Sequence, residues 1–235
     1  NMIRMGATFN SAGGIAEECE FSGNNVGSAA SQAGVSMNGP NAVIRCISRD
    51  NLNASGFILA DRAALIGCIA YNNSSSGVSI SSIAGFAMYG CDLYSNAASG
   101  LVFLASSASP CLIENSNFLR NGIGISSTTS SLRNGAIINC GFGSGTMTNS
   151  SGGVQSTFTQ IEQVGSVTYA ADVTPWVDPA NGDFRIILPE AKATGRGRFT
   201  QTTVNSPTNT VGFPDIGAAQ SASTNATTRA TAFAQ

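Results

Sequence analysis

The chain has 235 residues, of which 42% are hydrophobic and 10% are charged, and its formal net charge is −2. This length and apolar content allow one large domain or two small ones with a substantial core. The few basic residues are scattered, which argues against nucleic acid as a partner, and no apolar run is long enough for membrane insertion.

A repeat of 22 to 27 residues begins near residue 15 and continues to about residue 156. Each copy has an anchor position, and an asparagine follows five residues later in every copy except the last. The anchors are Cys19, Cys46, Cys68, Cys91, Ser116 and Cys140, and the asparagines are Asn24, Asn51, Asn73, Asn96 and Asn121. A fixed period of this kind indicates a solenoid in which each copy forms one coil.

Short alternating apolar segments accompany each anchor. One lies just upstream of the anchor, and another follows a glycine, at Gly34, Gly56, Gly77, Gly100 and Gly122. Segments this short, with period two and bounded by Gly, Asn and Ser, are typical of strands. With three strands per copy and no helical periodicity, the sequence predicts an all-β, right-handed parallel β-helix of about six coils over residues 1–156.

The repeated asparagine is predicted to occupy a tight corner of each coil, because Asn tolerates the left-handed conformation. Stacked coils then align these side chains in a hydrogen-bonded ladder. The anchor cysteines are predicted to form a buried column of reduced thiols, and disulfides between stacked cysteines are the alternative. Cys111 lies off this column, and we expect it to be partly exposed. A chain without histidine or a CxxC pair gives no sign of a zinc site.

The repeat resembles a known superfamily. Its copies follow the pattern C-x-Φ-x-x-N-x(3,4)-G-Φ-x-Φ, where Φ is apolar. This pattern is similar to that of right-handed parallel β-helix proteins, which include pectate lyases, phage tailspikes and many surface proteins. The resemblance implies the fold of residues 1–156. It does not select a function, because that fold carries lyases, hydrolases, adhesins and virion parts alike.

Residues 157–220 are predicted to form a C-terminal cap or assembly module, and residues 221–235 a low-complexity tail. The stretches "DPANGDFR" and "DIGAAQ" resemble a terminal module of phage and metagenomic virion-associated β-helix proteins. Similar endings also occur in secreted bacterial β-helix proteins. We expect aromatic side chains of this module to cover the open end of the last coil. The residues predicted for capping or assembly are Trp176, Asp183, Phe184, Arg185, Phe213 and Asp215, with Phe199 as a further aromatic.

The sequence offers little for catalysis, and we predict no catalytic, metal or cofactor residues. Histidine is absent, which removes the commonest general base. Glu17, Glu18 and Glu20 cluster in the first coil, but strand alternation is expected to place Glu18 on the opposite side. A lyase-like site with an arginine base has candidates in Arg45, Arg49, Arg62 and Arg120, yet no two adjacent coils carry acids at matching positions.

The leading functional hypothesis is a structural component of a phage or phage-like virion, assembled in the host cytoplasm. Such a decoration, fibre or short spike element is expected to be a homo-oligomer, with a trimer favoured, and to contact other virion proteins. One alternative is a spike domain that binds or cleaves polysaccharide, with a host surface glycan as partner. Another is a secreted bacterial surface protein or adhesin.

Overall fold

The computed structural model describes residues 7–9, 13–24, 33–81, 85–104, 111–127, 135–143, 161–164, 167–168, 173–187 and 217–218. These residues form three parallel sheets that wind around one core, together with a short antiparallel hairpin. The described residues contain no α-helix. No helix in this part of the chain is long and apolar enough to cross a membrane.

Each coil has three strands, and each of these strands belongs to a different one of the three parallel sheets. Sheet A contains β1 (Ala7–Phe9), β4 (Ala33–Asn38), β7 (Ser55–Ala60), β10 (Val78–Ile80), β13 (Ser99–Phe103) and β16 (Ile123–Ser127). Sheet B contains β2 (Ile15–Glu17), β5 (Ala42–Ile44), β8 (Ala64–Ile66), β11 (Phe86–Tyr89), β14 (Cys111–Glu114), β17 (Gly135–Ile138) and β19 (Ile161–Val164). Sheet C contains β3 (Glu20–Ser22), β6 (Ile47–Arg49), β9 (Ile69–Tyr71), β12 (Asp92–Tyr94), β15 (Asn117–Leu119), β18 (Gly141–Phe142) and β20 (Val167–Thr168).

The predicted parallel solenoid with three strands per coil is confirmed, and two details differ. All three strands are described in five consecutive coils, from β2 to β16, whereas about six coils were predicted. The solenoid also passes residue 156, since β19 pairs with β17 and β20 pairs with β18. The sequence pattern missed this last coil because it lacks both the anchor cysteine and the ladder asparagine.

The core is built from side chains that stack on their equivalents in the next coil. The central residue of each sheet B strand from β2 to β17 is buried: Ala16, Val43, Leu65, Met88, Ile113 and Ile137. In sheet C, Phe118 stacks on Phe142 with ring centroids 5.3 Å apart. Burying like residues above like residues explains why the sequence repeats its apolar pattern once per coil.

Two corners of each coil are in the left-handed region, and neither is occupied by the ladder asparagine. The first precedes the anchor, at Glu18, Arg45, Gly67, Gly90, Asn115 and Asn139, and the second precedes the asparagine, at Gly23, Asp50, Asn72, Ser95 and Arg120. The prediction that the repeated Asn adopts the left-handed conformation is therefore wrong. Its side chain is selected for its hydrogen bonds rather than for its backbone.

The five ladder asparagines form a continuous chain of amide hydrogen bonds inside the solenoid. The side-chain NH₂ groups of the first four donate to the side-chain oxygen of the next Asn, at distances of 2.8, 2.7, 2.9 and 2.9 Å. The same oxygen accepts the backbone N–H of the preceding Asn, as in Asn73 N to Asn96 Oδ1 at 3.2 Å. Asn121 Nδ2, at the end of the ladder, donates to the Leu93 carbonyl at 2.8 Å. Asn51, Asn73 and Asn96 are at most 1% exposed, so the ladder satisfies polar groups that no solvent reaches.

A column of glycines lies against this ladder. A Cβ atom on Gly77 would lie 2.8 Å from both Asn96 Nδ2 and the carbonyl oxygen of Gly100. Gly34, Gly56 and Gly100 face equivalent obstacles in their own coils. The glycine repeat therefore exists because the asparagine amide and the next coil occupy the space that a side chain would need.

Replacing Gly77 with alanine is expected to lower the free energy of unfolding by about 1–3 kcal/mol, because the added methyl group displaces the buried Asn96 amide. Chemical denaturation monitored by circular dichroism measures this change. Gly143→Ala is the control, since its Cβ would have no neighbour closer than 3.6 Å. Equal destabilisation by both substitutions would contradict the steric explanation.

The anchor cysteines also stack, and all six cysteines are free thiols. Cys46, Cys68, Cys91 and Cys140 are fully buried, as is Ser116 in the coil that lacks a cysteine. Each side chain donates to the carbonyl two residues earlier, for example Cys68 Sγ to Ile66 O at 3.4 Å and Ser116 Oγ to Glu114 O at 3.0 Å. Cys111 is 4% exposed, so the expectation of partial exposure is wrong, because its strand packs it into the core cluster.

Burial raises the pKa of the Cys46 and Cys140 thiols to about 12 and that of the Cys111 thiol to about 11. At pH 8 we therefore expect iodoacetamide to label only the exposed Cys19 in the native protein, and all six cysteines after unfolding. Mass spectrometry counts the labels. Rapid labelling of several thiols in the native state would contradict this burial.

The raised pKa values of Cys46 and Cys140 also make stability depend on pH. Because these pKa values are raised from 9.0 in the folded state, the contribution of the two thiols to the free energy of unfolding is complete below about pH 9 and falls as the pH rises toward 12.

Candidate functional site

The outer face of sheet C is partly covered by a C-terminal hairpin. It consists of β21 (Trp176–Asp178), a 3₁₀ turn (Pro179–Asn181) and β22 (Asp183–Ile186). Trp176, Phe184 and Ile186 of the hairpin pack with Tyr71, Tyr94 and Leu119 of the sheet. The ring centroids of Trp176 and Phe184 are 5.1 Å apart, and those of Tyr94 and Trp176 are 5.5 Å apart.

This position corrects the prediction that Trp176 and Phe184 cap the end of the solenoid. They cover its side, because the outward residues of three successive sheet C strands are apolar and need covering. Asp183 and Arg185 form an ion pair on the solvent side of β22, with Arg185 Nε 2.8 Å from Asp183 Oδ1. Phe199, Phe213 and Asp215 lie outside the described residues.

A second C-terminal contact lies beside the hairpin. Ala218 N donates to Asp92 Oδ2 at 2.9 Å, and Gly217 N donates to the Asn115 carbonyl at 2.7 Å. Asp92 is fully buried and also accepts from Asn117 Nδ2 at 2.9 Å. The "DIGA" motif, noted in the sequence for its resemblance alone, thus places its Gly-Ala pair against sheet C.

A cleft remains where the hairpin turn meets the first coils, with a volume of about 410 Å³. Strands β3, β6 and β9 form its floor and the 3₁₀ turn forms one wall. It is lined by Glu20, Ile47, Arg49, Asp50, Tyr71, Asn72, Ala180, Asn181 and Gly182. Gly182 has a φ of +84°, and a Cβ there would lie 2.9 Å from the Tyr71 hydroxyl, so glycine allows the turn to approach the sheet.

Arg49 is the central charge of the cleft. Its Nε donates to Glu20 Oε1 at 2.8 Å, and its Nη1 donates to Asp50 Oδ2 at 2.6 Å. Glu20 belongs to the first coil and Asp50 to the next. The arginine therefore brings together two carboxylates that do not occupy matching positions in their coils. The hydrogen bond to Asp50, supported by interactions with Tyr71 and Glu20, raises the pKa of Arg49 above its ordinary value.

Arg45 forms a matching cluster one corner away. Its guanidinium contacts Glu17 Oε1 at 2.5 Å and Glu18 Oε1 at 3.0 Å. The prediction that Glu18 points away from Glu17 is therefore wrong. Glu18 has a φ of +52°, which ends strand alternation and turns its side chain toward the same arginine.

The other arginine candidates take separate positions. Arg120 lies over the Tyr94 ring, 6.0 Å from its centroid, and Arg62 occupies a left-handed corner. Among the described residues, no three His, Cys, Asp or Glu side chains come close enough to hold a metal ion. Sequence reasoning missed Tyr71, Asn72 and Asn181 as cleft residues, and only the docking of the hairpin could have revealed them.

The outer face of sheet B is a second notable surface. Its outward side chains from the first to the sixth coil are almost all apolar and at least partly exposed: Ile15, Ala42, Ile44, Ala64, Ile66, Ala87, Tyr89, Leu112, Ala136 and Ile138. Ile15 is 61% exposed and Ile66 is 40% exposed. Exposed apolar faces of this extent usually mark contact surfaces.

Comparison with known proteins supports the fold assignment. Residues 33–175 match the family model described as "Right handed beta helix region". The crystal structure of pectate lyase Pel9A superposes on 93% of this chain and 68% of its own, with a TM-score of 0.53 and 14% identity. No curated protein matches the sequence. The family match ends before the hairpin, so the phage resemblance of the C-terminal motifs stays a prediction.

Proposed function

The chain belongs to the family of proteins with a right-handed β-helix region, and on that basis we propose that it binds polysaccharide in the cleft on sheet C without cleaving it. The observation that carries this proposal is the cleft itself. It combines charged and amide side chains with the apolar surfaces of Ile47 and Tyr71, the mixture that suits a sugar with polar edges and apolar faces. The likeness to a pectate lyase fold makes polysaccharide the natural ligand class to test.

The state of Arg49, the arginine of the cleft, favours binding over cleavage. A lyase-like mechanism would need a neutral guanidine to accept a proton, but ion pairing raises the pKa of Arg49 and keeps it charged. Arg45 is likewise held between two carboxylates. Arg49 is therefore suited to shaping and charging the cleft.

Affinity electrophoresis through gels containing neutral, acidic or amino-sugar polysaccharides tests the proposal. We expect at least one polymer to retard the protein, and Arg49→Ala to weaken that binding about tenfold, because Glu20 and Asp50 lose their common partner. Arg185→Ala, which removes an exposed arginine outside the cleft, is the control. No retardation by any polymer would refute the proposal, and release of unsaturated or reducing ends would replace binding with catalysis.

We propose, as a second candidate, the assembly role of a virion structural component. The apolar outer face of sheet B favours it, since contact between copies would remove that face from water. The occupant is a second copy of this chain, with a trimer favoured. The only charged side chains among the described outward residues of this face are Glu17, which pairs with Arg45, and the buried Glu114. A cell-surface location is the alternative to the virion.

Light scattering during size-exclusion chromatography measures the mass in solution. Under this second candidate we expect a homo-oligomer that Ile66→Asp converts to monomers, whereas Leu52→Asp, at an exposed leucine on another surface, leaves it intact. A wild-type monomer at all concentrations would contradict it.

A further inference from the structure

Cys19 is the accessible member of the column of anchor cysteines. It is exposed and lines a groove of about 350 Å³ on the first coil, whereas the other five cysteines of the chain are buried. A reagent dissolved in water can therefore reach the thiol of Cys19 and no other thiol of the native protein. Any oxidation of the column has to begin at this residue.

The sulfur of Cys46 lies beside Cys19, because each sulfur of the column leans toward the preceding coil. The Cys19 backbone N–H donates to Cys46 Sγ at 3.4 Å, and Cys46 Sγ donates to the Ala16 carbonyl, also at 3.4 Å. Cys19 and Ala16 both belong to the first coil. The second thiol is therefore already positioned at the main chain of the residue that carries the first.

The spacing of the coils suits a bond between these two sulfurs. Strand β2 pairs in parallel with β5, and β3 with β6, so the two cysteines occupy equivalent positions between paired strands. Paired strands lie about 4.8 Å apart. Disulfides join residues whose Cα atoms are about 4.4–6.8 Å apart, so the backbone already meets their distance requirement.

Only the Cys19 side chain has to turn. Its sulfur now donates to the Glu17 carbonyl at 3.1 Å. Because this side chain is exposed, rotation about its Cα–Cβ bond to another staggered position gives up one weak hydrogen bond and meets water rather than a packed core.

We infer that Cys19 and Cys46 form a thiol–disulfide exchange site that reacts with small disulfides. The Cys19 thiolate attacks one sulfur of the small disulfide, which forms a mixed disulfide and releases one small thiol. Cys46 Sγ, once its proton has passed to water, attacks Cys19 Sγ, and the second small thiol leaves. Two protein thiols are thereby oxidised to one disulfide, and the reagent is reduced to two thiols.

The two steps are expected to differ in rate. Burial raises the pKa of Cys46 to about 12, so little of it is thiolate near neutral pH and the second step is the slower one. The same property makes Cys46 a poor leaving group, so the finished disulfide is reduced slowly. The bond closes the loop from residue 19 to residue 46, which constrains the unfolded chain and stabilises the folded one.

The test is peptide mapping by mass spectrometry while the full chain is incubated with bis(hydroxyethyl) disulfide at about pH 8. This reagent is uncharged, so the glutamates that line the groove do not repel it. We expect an adduct on Cys19 to appear first and then to be replaced by a Cys19–Cys46 disulfide, with four of the six thiols left free. The urea midpoint of the oxidised protein is expected to exceed that of the reduced protein.

Two serine variants separate this pair from the rest of the column. Cys46→Ser should stop the reaction at the Cys19 adduct, whereas Cys68→Ser, the matched control, should still form the disulfide. Serine suits the column, since Ser116 already occupies it and is fully buried. Absence of any reaction at Cys19, persistence of its adduct in the wild type, a disulfide between the Cys19 residues of two chains, or equally fast oxidation of Cys68 and Cys91 would overturn the inference.

Discussion

Asn73→Ala is expected to lower the free energy of unfolding by about 3–5 kcal/mol, since it leaves several buried polar groups without partners. Asn73 Oδ1 accepts from both the side chain and the backbone N–H of Asn51. Its Nδ2 donates to Asn96 Oδ1 at 2.9 Å and to the Ser48 carbonyl at 3.1 Å. Alanine removes all four bonds at a position that water does not reach.

Urea denaturation followed by circular dichroism measures this loss. Asn72→Gly is the matched control, because the neighbouring Asn72 is exposed and has a φ of +54°, which glycine accepts readily. We expect the control to change stability by less than about 1 kcal/mol. A ladder that contributes little would show similar, small changes for both variants.

Trp176→Ala is the second substitution with a large expected effect. It removes the largest side chain of the cluster that holds the hairpin on sheet C, and truncation of a buried tryptophan typically costs about 3–5 kcal/mol. This loss acts on docking of the hairpin rather than on the core of the solenoid. We therefore expect residues 173–187 to exchange amide hydrogens and to be cleaved by protease much faster, while the sheets remain protected.

Two further variants test whether packing of the Trp176 ring holds the hairpin on sheet C. Trp176→Phe should cost less than Trp176→Ala, because the indole N–H is buried without a hydrogen-bond partner in the described part of the chain. Val177→Ala, at a neighbouring position that is 44% exposed, should leave exchange unchanged. Faster exchange in the Val177 variant would show that the hairpin is held by its strand rather than by the aromatic cluster.

The repeat made most of the fold predictable. Cysteine, asparagine and glycine recur once per coil because each faces its own equivalent in the next coil, so one constraint appears in the sequence several times. The reason why asparagine recurs was harder to predict. Asn51 and its equivalents do not adopt the left-handed backbone conformation, whereas the residue before each of them does. A pattern shows that a position is constrained without showing which atom is constrained.

The candidate site was harder to predict than the fold. Arg49 and Glu20 were visible in the sequence, but their meeting with Asn181 depends on a hairpin that docks from more than a hundred residues away. Nothing periodic connects these segments. Glu18 was misplaced for a local reason, because one left-handed residue cancels the alternation from which its direction was inferred.

The corner before each ladder asparagine has a consequence for how such a protein can change. In five successive coils the residue at this corner has nearly the same φ, from +53° to +64°. These residues are Gly23, Asp50, Asn72, Ser95 and Arg120. Their charges differ while the buried asparagine beside them stays the same. Each coil thus offers one outward position where mutation can alter surface chemistry independently of folding, so a chain that lengthens by duplicating coils gains new recognition positions at a fixed spacing.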